Sequence, residues 1–207
     1  SRGLGDVYKR QRQDRVKTTE DVFTLKYFSE VINWLNFDSV TVLDPHSSVS
    51  EALIDKIVIK HPDKYVWEAI ESKYIGGTNN LTMFFPDEGA MKRYSTMFDL
   101  PYVFGIKKRD WETGEIKGLD VSGMTELIKD RKILIVDDIS SRGGTFYHSS
   151  KKLKELGAKE IYLYVSHCEN TILDGEVLSS GLIDRVFTTN SIFTKEHEKV
   201  EVFEYDE

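Results

Sequence analysis

Ile133-Leu134-Ile135-Val136-Asp137-Asp138-Ile139-Ser140-Ser141-Arg142-Gly143-Gly144-Thr145 is the stretch that decides how this chain folds. Four aliphatic residues in a row have the length and composition of a strand buried in a parallel sheet. That strand delivers two carboxylates to its C-terminal end, where open α/β sheets bind ligands. The Ser-Ser-Arg-Gly-Gly-Thr turn then opens a helix whose first backbone N–H groups point outward, with glycines that let a phosphate come close. Asp137 and Asp138 can each accept hydrogen bonds from a sugar hydroxyl. A carboxylate pair beside a phosphate nest suits a sugar phosphate with a vicinal diol. An ordinary strand-to-helix turn, or a receiver-type acidic pocket, would account for the aspartates but not for Gly-Gly-Thr at this offset.

Working outward, short apolar strands alternate with amphipathic helices, which implies a parallel sheet covered on both faces. Thr18 and Asp21 read as a capping box for a helix carrying Val22, Leu25, Phe28, Ile32 and Leu35 on one face. Strands are expected at 39–43, ending at Asp44-Pro45-His46, and at 57–59, 81–85, 102–106, 132–136, 160–165, 185–188 and 200–203. Helices are expected at 65–72, 89–98 and 145–156, the last with Gly157 beyond its C-terminus. Residues 107–123 hold Gly114, Gly118 and many charges without a sustained period, and read as a mobile loop.

The composition narrows the function. The chain has 207 residues with 28 Lys+Arg against 35 Asp+Glu, so its net charge of −7 argues against nucleic-acid binding through phosphate neutralisation. A single cysteine, Cys168, rules out an intrachain disulfide and a cysteine zinc cluster, and fits a reducing, cytoplasmic setting. No apolar run approaches the ~20 residues of a membrane helix. No Gly-x-x-x-x-Gly-Lys-[Ser/Thr] sequence is present, so a nucleotide would not be held by a Walker loop. Asp6-Val7-Tyr8-Lys9-Arg10-Gln11 matches the translation of a transposon end used to prepare sequencing libraries. Residues 1–11 are therefore read as a scar, and the chain as starting partway through a longer protein.

The Asp137–Thr145 stretch resembles the phosphoribosyl-pyrophosphate loop of type I phosphoribosyltransferases and their relatives. Arg12-Gln13-Asp14-Arg15, Asp44-Pro45-His46, Pro86-Asp87-Glu88-Gly89 and Lys107-Lys108-Arg109 stand in the order seen in the phosphoribosyl pyrophosphate synthetase (ribose-phosphate pyrophosphokinase) family. The resemblance runs from Arg12 to about Ser191. It implies an α/β phosphoribosyltransferase-like domain over 62–194, and 12–61 with 195–207 as the remnant of a similar N-terminal domain that begins upstream. The implied reaction is ATP plus ribose 5-phosphate to AMP plus 5-phosphoribosyl 1-pyrophosphate, in a homo-oligomer, with these 207 residues inactive alone. The alternatives are a phosphoribosyltransferase, or a non-catalytic subunit that binds the active enzyme.

The resemblance also assigns residues. Asp137, Asp138, Ser141, Arg142, Gly143, Gly144 and Thr145 would hold ribose 5-phosphate. Arg12, with its forked permanent charge, and Gln13 would hold ATP. His46 and Asp87, each after a strand, would face one Mg²⁺ directly or through water. Lys107 and Arg109 would stabilise the transferring group from the mobile loop, with Lys107 favoured over Lys108 because it keeps the family's Lys-x-Arg spacing. The family usually has an acidic residue where Ser141 stands and a small residue or threonine where Arg142 stands. His167 is read as structural, and Lys92 and Arg93 are left without a role.

Overall fold

The computed structural model describes residues 14, 16, 21–109 and 116–205, with only the backbone at 107–109 and 116–119. The chain divides into two compact units, Ser1–Pro62 and Asp63–Glu207.

The first unit contains α1 (Thr24–Trp34), β1 (Val40–Leu43), α2 (Val49–Leu53) and β2 (Ile57–Lys60). The two strands pair in parallel, Val40 opposite Ile57 and Leu43 opposite Lys60. The capping box does not start α1: the helix begins at Thr24, with Phe23 before it and no side-chain cap. Thr18 lies outside the described residues. Packing of one face, more than capping, decides where a short helix forms. Burial begins at Leu25 and continues through Ser29 and Ile32, whereas Val22 is 62% exposed. Asn33 ties the end of α1 to the α2–β2 connection, donating to the Leu53 carbonyl at 2.9 Å and accepting from the Asp55 N–H at 2.9 Å. β1 leaves through Asp44, buried and at φ +44, which turns the chain into Pro45-His46.

The second unit contains α3 (Asp63–Glu71), β3 (Leu81–Phe85), α4 (Glu88–Tyr94), β4 (Tyr102–Arg109), β5 (Ile116–Ser122), β6 (Lys132–Ser140), α5 (Gly144–Glu155), β7 (Glu160–Cys168), α6 (Glu176–Ser179), β8 (Arg185–Thr189) and β9 (Val200–Phe203). Its seven-stranded sheet has the order β5-β4-β3-β6-β7-β8-β9, parallel except for the β4–β5 pair. The uninterrupted run in β6 is explained by its position: it pairs with β3 on one side and β7 on the other, and Ile133 to Val136 have no exposure at all. Side chains alternate between the faces of a strand. Ile133 and Ile135 thus share a cluster with Ile161, Leu163 and Val165 of β7 and Phe146 and Leu153 of α5. On the opposite face Tyr162 contacts Phe187, which stacks on Phe203, and Phe203 stacks on Tyr65 of α3. Both faces are covered, as the strand–helix alternation requires. Among the described residues no helix is long and apolar enough to cross a membrane.

Three expectations need correction. Residues 107–123 are not a loop throughout. β4 continues to Arg109, and β5 returns beside it in antiparallel register, Lys107 opposite Leu119 and Arg109 opposite Ile116. An edge hairpin needs only one covered face, so its glycines and charges mask the short alternation of Leu119 and Val121. The segment 195–207 does not go with the first unit: β9 extends the large sheet, Val186 opposite Val200 and Thr189 opposite Phe203. The Phe187–Phe203 stack fixes it there. The helix expected at 89–98 closes at Tyr94, while Phe98 is buried in the connection that follows.

Because Leu153 is the fully buried contact of α5 with the sheet, Leu153→Ala should cost about 2–5 kcal/mol in equilibrium urea unfolding. Lys151→Ala, on the exposed side of the same helix, should stay within about 0.5 kcal/mol.

Candidate functional site

The chain leaves β3 toward β4 on one side of the sheet and leaves β6 toward β7 on the other. The gap between the C-terminal ends of β3 and β6 is therefore the topological switch point, where open α/β sheets bind ligands. Phe84 pairs with Ile135. Asp87 and Asp138 each follow three residues later, so both strands deliver acidic residues to the same end of the sheet.

Asp137 and Asp138 lie inside β6, which runs on to Ser140, and both are buried, 7% and 2% exposed. The Asp138 N–H donates to Asp137 Oδ1 at 3.0 Å. Arg93, on α4, donates from one guanidinium nitrogen to Asp137 Oδ1 at 3.0 Å and to Asp138 Oδ1 at 3.2 Å. Burial, with Asp138 beside it, pushes the Asp137 carboxyl well above the usual carboxylate range, and Arg93 pulls the other way. Burial also works against the charge on Arg93, but Tyr94, Asp138 and Asp137 outweigh it and hold the guanidinium above its ordinary value. The Arg93 guanidinium also lies over the Tyr94 ring, 5.0 Å from its centroid.

The turn after β6 brings the remaining expected residues to the start of α5. Gly143 precedes the helix at φ +77, and a Cβ there would meet Val177 Cγ2 at 2.7 Å, so only glycine suits the position. At Gly144 a Cβ would meet nothing within 4 Å, and Thr145, Ser141 and Arg142 are exposed around it. No side chain caps α5, and its first turn has no acidic residue. An uncapped helix start with open space at a glycine is ready to receive an anion.

Two residues that sequence reasoning passed over shape this turn. The Ser141 hydroxyl donates to Glu169 Oε2 at 2.8 Å, and Thr171 Oγ1 donates to the same oxygen at 3.0 Å, tying the turn to the end of β7. A Cβ at Gly175 would land on the Arg142 carbonyl oxygen. Neither residue lies in a motif, and their only sequence signal is that they follow the next strand.

The other expected residues are spread more widely. Asp87 caps α4, its Oδ1 accepting from the Ala90 N–H at 3.1 Å. His46 is half-buried in the first unit, two residues after Asp44. The described residues contain no cluster of three or more His, Cys, Asp or Glu side chains arranged to hold a metal. Lys107 and Arg109 sit in β4, with side chains outside the described residues, and Arg12 and Gln13 lie outside them altogether. Lys92 pairs with Glu88 at 2.7 Å on the exposed side of α4, whereas Arg93 turns to the aspartates. His167 Nδ1 is 2.9 Å from Ser191 Oγ, which fits its structural reading. The Cys168 thiol is buried and pushed up to about 12, unsuited to nucleophilic work.

Curated proteins named ribose-phosphate pyrophosphokinase are similar to this chain. The Campylobacter jejuni protein is 27% identical over 89% of the chain and 59% of its own length, and the Pyrococcus abyssi protein is 29% identical over 94% and 66%. The Bacillus subtilis protein is 28% identical over 95% of the chain and 61% of its own length. The chain thus spans about 60% of the length of these relatives. The crystal structure of phosphoribosylpyrophosphate synthetase from Mycobacterium smegmatis superposes with a TM-score of 0.77 over 95% of this chain and 64% of that one, at 19% identity, which shows the shared fold. The profile of the phosphoribosyl transferase domain family matches residues 89–206. That match takes in nearly all of α4, the Asp137–Thr145 turn and every strand of the large sheet except β3, more than half of the sequence, and the chain belongs to the phosphoribosyl transferase domain family.

Proposed function

We propose that this chain belongs to a ribose-phosphate pyrophosphokinase, which transfers the pyrophosphoryl group of ATP to ribose 5-phosphate and releases AMP. The observation that carries this reading is the pairing of two buried carboxylates at the end of β6 with an uncapped, glycine-opened start of α5. The carboxylates accept from the ribose 2- and 3-hydroxyls, while the Ser141–Thr145 turn takes the 5-phosphate. The similarity to proteins named ribose-phosphate pyrophosphokinase covers about 90% of the chain, well beyond the sugar-phosphate turn. The whole protein works in the cytoplasm as a homo-oligomer.

In the reaction the anomeric hydroxyl attacks the β-phosphorus of ATP in line, and the chain's contribution is mostly positioning and charge stabilisation. Arg12 and Gln13 hold the nucleotide. Lys107 and Arg109, carried by the β4–β5 hairpin, neutralise the charge that shifts onto the transferring group. Asp87 in the second unit and His46 in the first would each offer a donor to Mg²⁺, an ion that keeps several waters and is carried largely by the nucleotide phosphates. When bound, the ion supplies positive charge to the polyphosphate.

Release of AMP from ATP and ribose 5-phosphate distinguishes this activity from a phosphoribosyltransferase, which shares the turn but forms no AMP from these two substrates. In titration calorimetry, Asp137→Asn and Asp138→Asn should each weaken ribose 5-phosphate binding by about 1.5–3 kcal/mol, the worth of a charge-assisted hydrogen bond, with ATP binding little changed. An ATP defect with normal sugar-phosphate binding would overturn the assignment. Gly175→Ala should weaken sugar-phosphate binding through the displaced Arg142 carbonyl, and normal affinity in that variant would show that the turn's shape is not what binds. In steady-state assays of AMP release by the full-length protein, Lys107→Ala should lower kcat strongly with little change in substrate affinity, and Lys108→Ala should be milder. The reverse order would move the role to Lys108.

A further inference from the structure

We infer that Arg93 is a positioning residue of the sugar-phosphate site, bridging Asp137 and Asp138 so that the pair presents acceptors to the sugar. The inference rests on the sugar-phosphate reading above. Arg93 reaches Oδ1 of both carboxylates from a single nitrogen, which turns the two side chains toward the same point although they are consecutive in the strand. Its side chain is only 19% exposed. Its helical neighbour Lys92 is 68% exposed and pairs with Glu88 one turn back. A surface helix does not bury an arginine beside a solvent-facing lysine for solubility. The buried charge is matched to the strand end.

The bridge has two consequences. First, two ionised carboxylates next to a phosphate nest would repel a dianionic ligand, and one guanidinium brings the cluster from −2 to −1. Second, a carboxyl accepts from a sugar hydroxyl at both oxygens only when ionised. Among the described residues, the ionisable groups that bear most on Asp137 are Asp138 on its own strand, which opposes ionisation, and Arg93 from α4, which favours it. Arg93 brings a cation to the cluster, and without it only the Asp138 N–H is left to oppose burial and the Asp138 carboxylate at Asp137. Acceptor geometry and acceptor charge therefore both depend on Arg93.

The test is ribose 5-phosphate binding by the full chain, followed by calorimetry from pH 5 to 9. It compares the unchanged protein with Arg93→Met, Arg93→Gln, Arg93→Lys and Lys92→Met, and circular dichroism checks folding. The phosphate's own titration is common to all and cancels in the comparison. Losing the charge should move the midpoint of the affinity profile upward by about one pH unit or more and weaken binding about tenfold at pH 7. Arg93→Lys should restore the midpoint with incomplete recovery of affinity, because the lysine ammonium has a shorter reach and lacks the planar group that lies over Tyr94. Lys92→Met should match the unchanged protein. If the unchanged chain binds no ribose 5-phosphate at any pH, the sugar-phosphate reading itself fails. If it binds and the folded Gln or Met variant keeps both midpoint and affinity, the inference about Arg93 fails alone. Should neither neutral variant fold, carboxyl ¹³C titration of Asp137 and Asp138 in Arg93→Lys decides. Values unchanged from the original protein, with affinity also unchanged, overturn the inference, and altered affinity supports it.

Discussion

Two adjacent carboxylates at the covered end of a strand cannot both carry charge without a cation within reach, and the second unit is arranged around that constraint. Taking a carboxylate out of water costs several kcal/mol unless it is paired and hydrogen-bonded. β6 buries two in succession. The cation comes from α4, the helix that follows the neighbouring strand β3, and its start is set by the Asp87 cap on Ala90. Asp87 therefore positions the helix that carries Arg93, whatever it also does for a metal. The short length of α4, closing at Tyr94 right after Arg93, places the arginine in the last turn, where a cation is favoured by the helix dipole.

The turn after β6 obeys a different constraint, that of close backbone approach. Gly143 is required by its left-handed backbone and by Val177, and Gly175 by the Arg142 carbonyl it packs against. Glycines from two separate segments thus let the α6 region lie directly on the turn. Glu169, at the end of β7, holds Ser141 through its hydroxyl. The turn is shaped from below by packing and from the side by one carboxylate, which leaves its helix-facing amides and Gly144 open.

The central strand, the two aspartates and the glycine turn were legible because each is specified by adjacent residues: an unbroken aliphatic run, then carboxylates, then glycines. Most strand and helix positions of the second unit follow from the same local patterns. What escaped depends on partners distant in sequence. Arg93 looks like its neighbour Lys92 until the fold brings it to residues 137 and 138. Gly175 has an ordinary backbone conformation, φ −102, and matters only because Arg142 lies against it. β5 was hidden because an edge strand needs few apolar residues, and β9 was misassigned because its partner β8 is a tertiary choice that no local pattern encodes. Residues 12 and 13 carry a motif without a described place in the structure.

The polarity of the site follows from the strand order itself. At a switch point two parallel strands end side by side while their following helices pass to opposite faces of the sheet, so strand-end side chains and a helix start meet at one edge. Here the strand ends supply acceptors, Asp137 and Asp138, and the start of α5 supplies donors, its uncapped N–H groups. The turn between β6 and α5 is only three residues long, Ser141 to Gly143, so acceptors and donors are held a short span apart. A ligand that fits must carry hydroxyl donors at one end and an anion at the other, separated by a few bonds. A free phosphate satisfies only the helix and a neutral sugar only the strand. A phosphorylated sugar, the ligand proposed above, would satisfy both at once, with its phosphate at the donor-rich helix end and its hydroxyls at the acceptor-rich strand end.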